Sequence, residues 1–307
     1  MNMTGTDQTL LDEITDTKIT DNAAYNIRKN GKVLKRKVTE DVSIESKADG
    51  SGIDIYVKEN ARHAFVYIPV LVTFSGLNDV VYNDFHIGKN ASAIIVAGCA
   101  VKNNAGKTSR HQGIHRFYLE ENASVSYLEK HYGEGHGHGG RILDPVTEMH
   151  LGPNSTMDMD TVQIEGVTDT VRYTTADLSD GATLTISEKI MTSQNQTAKT
   201  EFTINLNGKN SSTHVVSRSI AADHSHQQFI SHLNGYNECY GHVECDGILK
   251  DQGIVDASPE VNARHVDARL VHEAAIGKIA GDQLTKLMSL GLTAKEAEKA
   301  IIDGFLK

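Results

Sequence analysis

Fifteen histidines and three cysteines carry most of the soft-donor chemistry in this 307-residue chain, and three segments holding some of them could do chemistry. The first is Gly135-His-Gly-His-Gly-Gly140, with His131 upstream and His150 downstream. His136 and His138 are alternate residues. On a strand such residues share a face, so two imidazoles can reach one metal ion, as in cupins. The surrounding glycines favour a flexible exposed loop instead, and Asp144 is the one carboxylate shortly downstream. The second is Glu238-Cys-Tyr-Gly-His-Val-Glu-Cys-Asp246. Its Cys-x5-Cys spacing fits neither a zinc knuckle nor a ferredoxin. On a strand Cys239 and Cys245 share a face while His242 points away. They read as small buried hydrophobes or as thiolates for soft-metal and sulfur chemistry beside His242, Glu244 and Asp246. The third is His272-Glu273, which either orients a ligand or closes a junction.

Other chemistries lack a signature. The chain has no nucleophile elbow Gly-x-Ser-x-Gly, P-loop or His-Glu-x-x-His. A net charge of −10 repels a phosphate backbone, so no nucleic-acid partner is expected. With 39% hydrophobic and 23% charged residues the chain is globular. No run approaches the roughly 18 apolar residues of a membrane helix. Met1–Asp7 lacks the basic and apolar regions of a secretory signal. Three cysteines suit a reducing compartment, so a cytoplasmic location is expected.

The elements that must hold these residues are mainly strands. Thr183–Ile190 and Glu201–Leu206 alternate apolar and polar residues, the period of a half-buried strand. Turns beginning at Asn90, Asn122, Asn154, Gly181 and Asn210 recur every 27 to 32 residues, each leading into such a run. Regular recurrence suggests the stacked units of a β-solenoid, with a jelly-roll sandwich as the alternative. The same turns create Asn-x-Ser/Thr sequons, read here as turn chemistry. Near the start, Thr9–Ile14 suggests a turn or two of helix, and Asn30-Gly31 suggests a hairpin. After Gly281, Leu284, Leu287 and Met288 share a helical face, Gly291 suits a helix C-terminus, and Thr293-Ala-Lys-Glu296 is a capping box opening a second helix. Such a pair can cap a solenoid's open edge, offer a docking surface, or both.

Together these segments resemble the SufB/SufD family, the scaffold subunits of the SUF iron–sulfur cluster assembly machine. The resemblance rests on His272–Ile279, Asp282-Gln-Leu, Leu287–Leu292, Glu296-Ala297 and Ile302–Leu306. Upstream it is carried by Tyr82–Phe85, Ala97-Gly-Cys99, His111–His115, Glu129–Gly135, Ser217–Ser219 and Gly241–Asp246. It implies a right-handed parallel β-helix over residues 46–270, after a short N-terminal segment (1–45) and before a C-terminal helical segment (271–307). It also implies a SufC-type ATPase docked on the C-terminal helices and a second SufB/SufD-type subunit, as homodimer or heterodimer. The chain then works as a scaffold rather than an enzyme, holding a transient iron–sulfur cluster. His272 matches both branches and Glu273 the SufB side, whereas Val271 departs from the Glu-His-Glu of SufB-type members. His272, Glu273, Cys245 and Cys239 are the candidate cluster ligands, and His136 and His138 remain candidates for another metal. The rival reading is a cupin-like metalloenzyme or a β-helix carbohydrate-active enzyme.

Overall fold

The computed structural model describes residues 3–15 and 19–306. Strands alternate between two facing, largely parallel sheets, forming a β-solenoid of about 8 turns. The first sheet stacks Ala64–Tyr67, Ser92–Lys102, Ser124–Glu134, Thr156–Glu165, Thr183–Thr192, Ser212–Ala221, Cys239–Leu249 and Ala268–Gly277. The second stacks Gly52–Val57, Asn78–Ile87, Ser109–Leu119, Val146–Leu151, Asp169–Leu178, Thr197–Leu206, His226–Gly235 and Ile254–Ala263. A jelly roll is built from antiparallel strands, and this parallel order excludes it.

The sequence repeat is the corner of this solenoid. Ser92, Ser124, Thr156, Thr183 and Ser212 lie in one register across the first sheet. The residue opening each of these turns has φ between 55° and 66°. Asn and Gly enter that left-handed region most readily, which is why they recur there. The Asn122 amide donates to Asn90 Oδ1 at 3.0 Å, and the Asn90 amide donates to Asn60 Oδ1 at 3.1 Å. The sequons at Asn90 and Asn122 thus form a corner ladder.

Inward residues form one continuous apolar column, with Phe85 and Phe117 stacked at 4.5 Å. Outside the second sheet, Tyr56, His86, Tyr118 and His150 stack at 4.7–5.1 Å between ring centres. The row continues through Asp177, Asn205, Asn234 and Asn262, each asparagine amide donating to its neighbour's side-chain oxygen at 2.9–3.0 Å. Side-chain ladders of this kind hold a long sheet flat.

The two ends differ. At the N-terminal end both sheets finish in antiparallel pairs: Lys32–Lys37 against Ala24–Lys29, and Val42–Ser46 against Gly52–Val57. Asn30 and Gly31, both at positive φ, make the expected tight turn. The outer strand presents Lys32, Lys35, Arg36 and Lys37, charges that discourage further pairing. Helix α1 (Gly5–Thr15) buries Leu10, Leu11 and Ile14. Ile14 packs against Gly98, where a Cβ would meet its carbonyl at 2.5 Å. At the C-terminal end nothing among the described residues covers the last turn. Ile254 is 53% and Val266 94% exposed, and Val261, Val271 and Ile276 are exposed as well.

Helices α2 (Gly281–Ser289) and α3 (Ala294–Phe305) follow. Gly291 has φ 100°, and the Leu292 amide returns to Leu287 O, a C-terminal closure only glycine makes cheaply. Thr293 and Glu296 exchange both bonds of the capping box. The pair does not cap the open end. It touches the outside of the first sheet through Lys250–Glu298 (2.6 Å) and Arg218 Nη1 donating to Phe305 O (3.2 Å). Ala297 is its one buried residue among those described, and α2 buries none. Leu290 is 76% exposed, with Met288 and Leu292 exposed beside it.

Candidate functional site

Cys239, Cys245 and His272 all sit on the last two strands of the first sheet. Cys245 points inward and is 1% exposed. Burial pushes its thiol up to about 12, with Glu188 adding to the shift. Cys239 also points inward, but six residues along the strand place it roughly 20 Å away. Both thiols pack into the same apolar core, and at that separation they do not share one ligand set. His272 pairs in register with Val243 and Cys245 with Ala274. His272 and Cys245 are therefore diagonal neighbours on the inner face, with Cβ atoms roughly 7–8 Å apart. Both ring nitrogens of His272 lack a partner, and burial lowers its pKa, with His242 contributing.

Glu273 falls on the other face. It is exposed, 3.6 Å from His242 Nε2, and His242 stacks on His214 at 5.1 Å. One chain thus presents Cys245 and His272 inward and Glu273 outward at an uncovered edge.

The bore holds a polar network that spacing along the chain does not reveal. His111, His115, Glu129, His131, Arg172, Glu188 and Ser217 occupy inward slots and are all buried. Asp79 contacts Arg28 at 3.3 Å and His111 Nδ1 at 2.9 Å. Tyr127 donates to Glu129 at 3.0 Å and meets His115 Nδ1 at 2.7 Å. Arg172 Nη1 donates to Glu129 at 2.7 Å, and its Nε lies 3.3 Å from Glu188. Thr200 and Ser217 donate to Glu188 at 3.1 and 2.9 Å. Ser217 is the register partner of Cys245, so the network ends beneath that thiol. Burial opposes ionisation of Glu129, but His131 and Arg172 outweigh it and hold its pKa down. Glu188, farther from the guanidinium, keeps the raised pKa that burial imposes. Burial also takes His115 down to about 4 and, with Glu129 and Asp79, lifts the Cys99 thiol.

The Gly-His-Gly-His turn owes its glycines to close approach, where mobility was expected. Gly137 N and Gly139 N donate to Asn103 O (3.3 Å) and Ala105 O (3.0 Å) of the turn below. A Cβ at 135, 137 or 139 would stand 2.1–2.3 Å from a backbone oxygen of that turn. His136 and His138 project outward and are exposed. Asp144, the carboxylate a cupin-like site needs, is held by Arg110 (2.8 Å) and the Val171 amide (2.7 Å). Among the described residues no three His, Cys, Asp or Glu side chains stand close enough to hold a metal ion. No described helix is long and apolar enough to cross a membrane.

Comparison with known proteins decides the family. Residues 78–305 match the family model described as SUF system FeS cluster assembly, SufBD core domain. The chain belongs to the SufBD family. An iron–sulfur cluster assembly SufBD family protein of Methanothermobacter thermautotrophicus is 27% identical over 266 residues, 85% of this chain and 64% of that one. One of Archaeoglobus fulgidus is 30% identical over 214 residues, covering 69% and 56%. One of Methanocaldococcus jannaschii is 26% identical over 292 residues, covering 91% and 89%. The matches to the first two thus span between half and two thirds of those relatives' length. Within this SufBD chain the matched core contains the bore network, the open end and the helical pair.

Proposed function

We propose that this chain is a cytoplasmic scaffold subunit on which an iron–sulfur cluster is assembled, with the open C-terminal end as the working site. The observation that carries this is His272, an inward imidazole with both nitrogens unpartnered, diagonal to the Cys245 thiol on a turn that no described residue covers. A thiolate and an imidazole suit iron in such clusters. The thiol must lose its proton as iron binds, since the thiolate is the ligand. Cys245 and His272 supply two donors at most, and Glu273 faces the other way. Donors from a second subunit complete the set.

That subunit is SufB/SufD-type, a copy of this chain or a paralogue, and it pairs with the exposed edges of the last turn. The sealed N-terminal end stops such pairing from propagating. A SufC-type ATPase docks on the exposed apolar residues of the helical pair and supplies the work. The chain's own role is to hold and release, not to turn over. Anaerobic reconstitution with iron and sulfide tests the site. Wild-type protein gains visible cluster absorption, and Cys245→Ala or His272→Ala loses most of it, whereas Cys239→Ala retains it. Full absorption in both of the first two variants refutes the assignment.

A further inference from the structure

Helix α3 does not lie flush on the first sheet. Lys250–Glu298 and Arg218–Phe305 hold it there. Beside them a cleft of about 530 Å³ stays open between Ile302 and Leu306 of the helix and Ile164 and Met191 of the sheet. A second chamber of about 340 Å³ shares Ile164 and Met191 with the first and so continues it. The two chambers differ in chemistry. In the first the walls are aliphatic and thioether side chains, and Lys250 and Lys299 are already paired with Glu298 and Asp303 at 2.6 and 2.9 Å. The second is lined by Arg141, Ser193, Gln194 and Gln196, with the bare backbone of Gly135 and Gly166.

Arg141 has charge to spare. Its Nε donates to Gly166 O at 2.6 Å and its Nη1 to Gly135 O at 3.4 Å, so neutral carbonyls fix the half-buried guanidinium in place. No described carboxylate pairs with it, and Nη2 has no hydrogen-bond partner among the described residues. Asp223, the carboxylate at that end, is committed to the Gln194 amide at 2.7 Å. A positive charge withdrawn from water without a counter-ion is a cost that an anion relieves. An inorganic anion would use only the second chamber and a hydrocarbon only the first. We propose that the cleft binds a small amphipathic anion, an unbranched alkyl carboxylate, with its head on Arg141 and its chain between Met191 and the Ile302 and Leu306 face of α3. The space suits such a ligand, since small-molecule sites run to roughly 300–1,000 Å³. Lodged there, the chain fills the gap under α3 and fixes the helical pair against the sheet. This site rests on the cleft alone and is separate from the open end.

Calorimetric titration of the full chain with decanoate and, separately, with 1-decanol tests it. Wild type binds one equivalent of decanoate, roughly 10-fold more tightly than the alcohol, the difference one charge-assisted contact makes. Arg141→Gln removes that preference and leaves 1-decanol binding unchanged, whereas Ile302→Glu weakens both. Because Arg141 also braces its turn, the comparison of the two probes on wild type stands without any variant. Amide exchange in α3 gives a further readout: decanoate slows it. Equal affinity for the two probes, no decanoate binding, or α3 exchange untouched by decanoate would overturn the proposal. So would binding that survives Arg141→Gln at full strength but is lost in Lys295→Gln, or in Leu290→Ser on the exposed part of the helical pair.

Discussion

Arg172 is fully buried between Glu129 and Glu188. Removing one partner of such an arrangement typically costs about 3–5 kcal/mol, because a buried charge is left uncompensated. Arg172→Leu is therefore expected to lower stability by about that much at pH 7, measured by urea unfolding. The pH dependence has a definite sign. In the wild type Glu129 has a depressed pKa, so its stabilisation is present above the unfolded carboxylate range and is lost as pH falls through its folded value. In the variant, burial is no longer opposed by the guanidinium and Glu129 takes up a proton more readily. The gap between wild type and variant therefore narrows from pH 7 to pH 5; a gap that widens contradicts the account. Part of this was legible beforehand. In Thr183–Ile190 the inward phase is Leu184, Ile186, Glu188 and Ile190, so a carboxylate stands where the alternation calls for an apolar residue. What could not be read was its partner. Arg172, Glu129 and Glu188 lie on three different turns, and their meeting depends on how those turns stack.

At the scale of elements, the corners and the helix ends were readable because each depends on a local backbone requirement. Positive φ selects Asn or Gly, and a free helix N-terminus selects Thr with Glu three residues on. Residues 135–140 were harder. Glycines read locally signal freedom, whereas here they answer the backbone of the turn below. The placement of α2 and α3 was likewise hidden, since their sequence fixes an apolar face but not the surface it meets. Because the pair buries little, deleting residues 281–307 should leave the solenoid's circular dichroism and melting nearly unchanged while abolishing the stable complex proposed with a SufC-type ATPase. Retention of that complex by the truncated chain would refute docking on the helices.

The whole molecule is a stack with one finished end and one unfinished end. The finished end has antiparallel closure and a lysine-rich edge; the unfinished end exposes two strands together with apolar side chains. Long open edges of this kind attract pairing, and pairing through one end alone closes a two-fold unit instead of growing a fibre. The repeat announced a solenoid, but the difference between its ends emerged only once the strands were placed in order. The cluster reading depends on that difference, because Cys245 and His272 belong to the unfinished end and find no third ligand among the chain's described residues. Native mass spectrometry of the anaerobically reconstituted protein, with its paralogue where one copurifies, tests this most directly. The account predicts iron and sulfide mass on a two-subunit species, lost with Cys245→Ala in this chain. A complete cluster carried by the single chain, or one retained on the pair after that substitution, would contradict it.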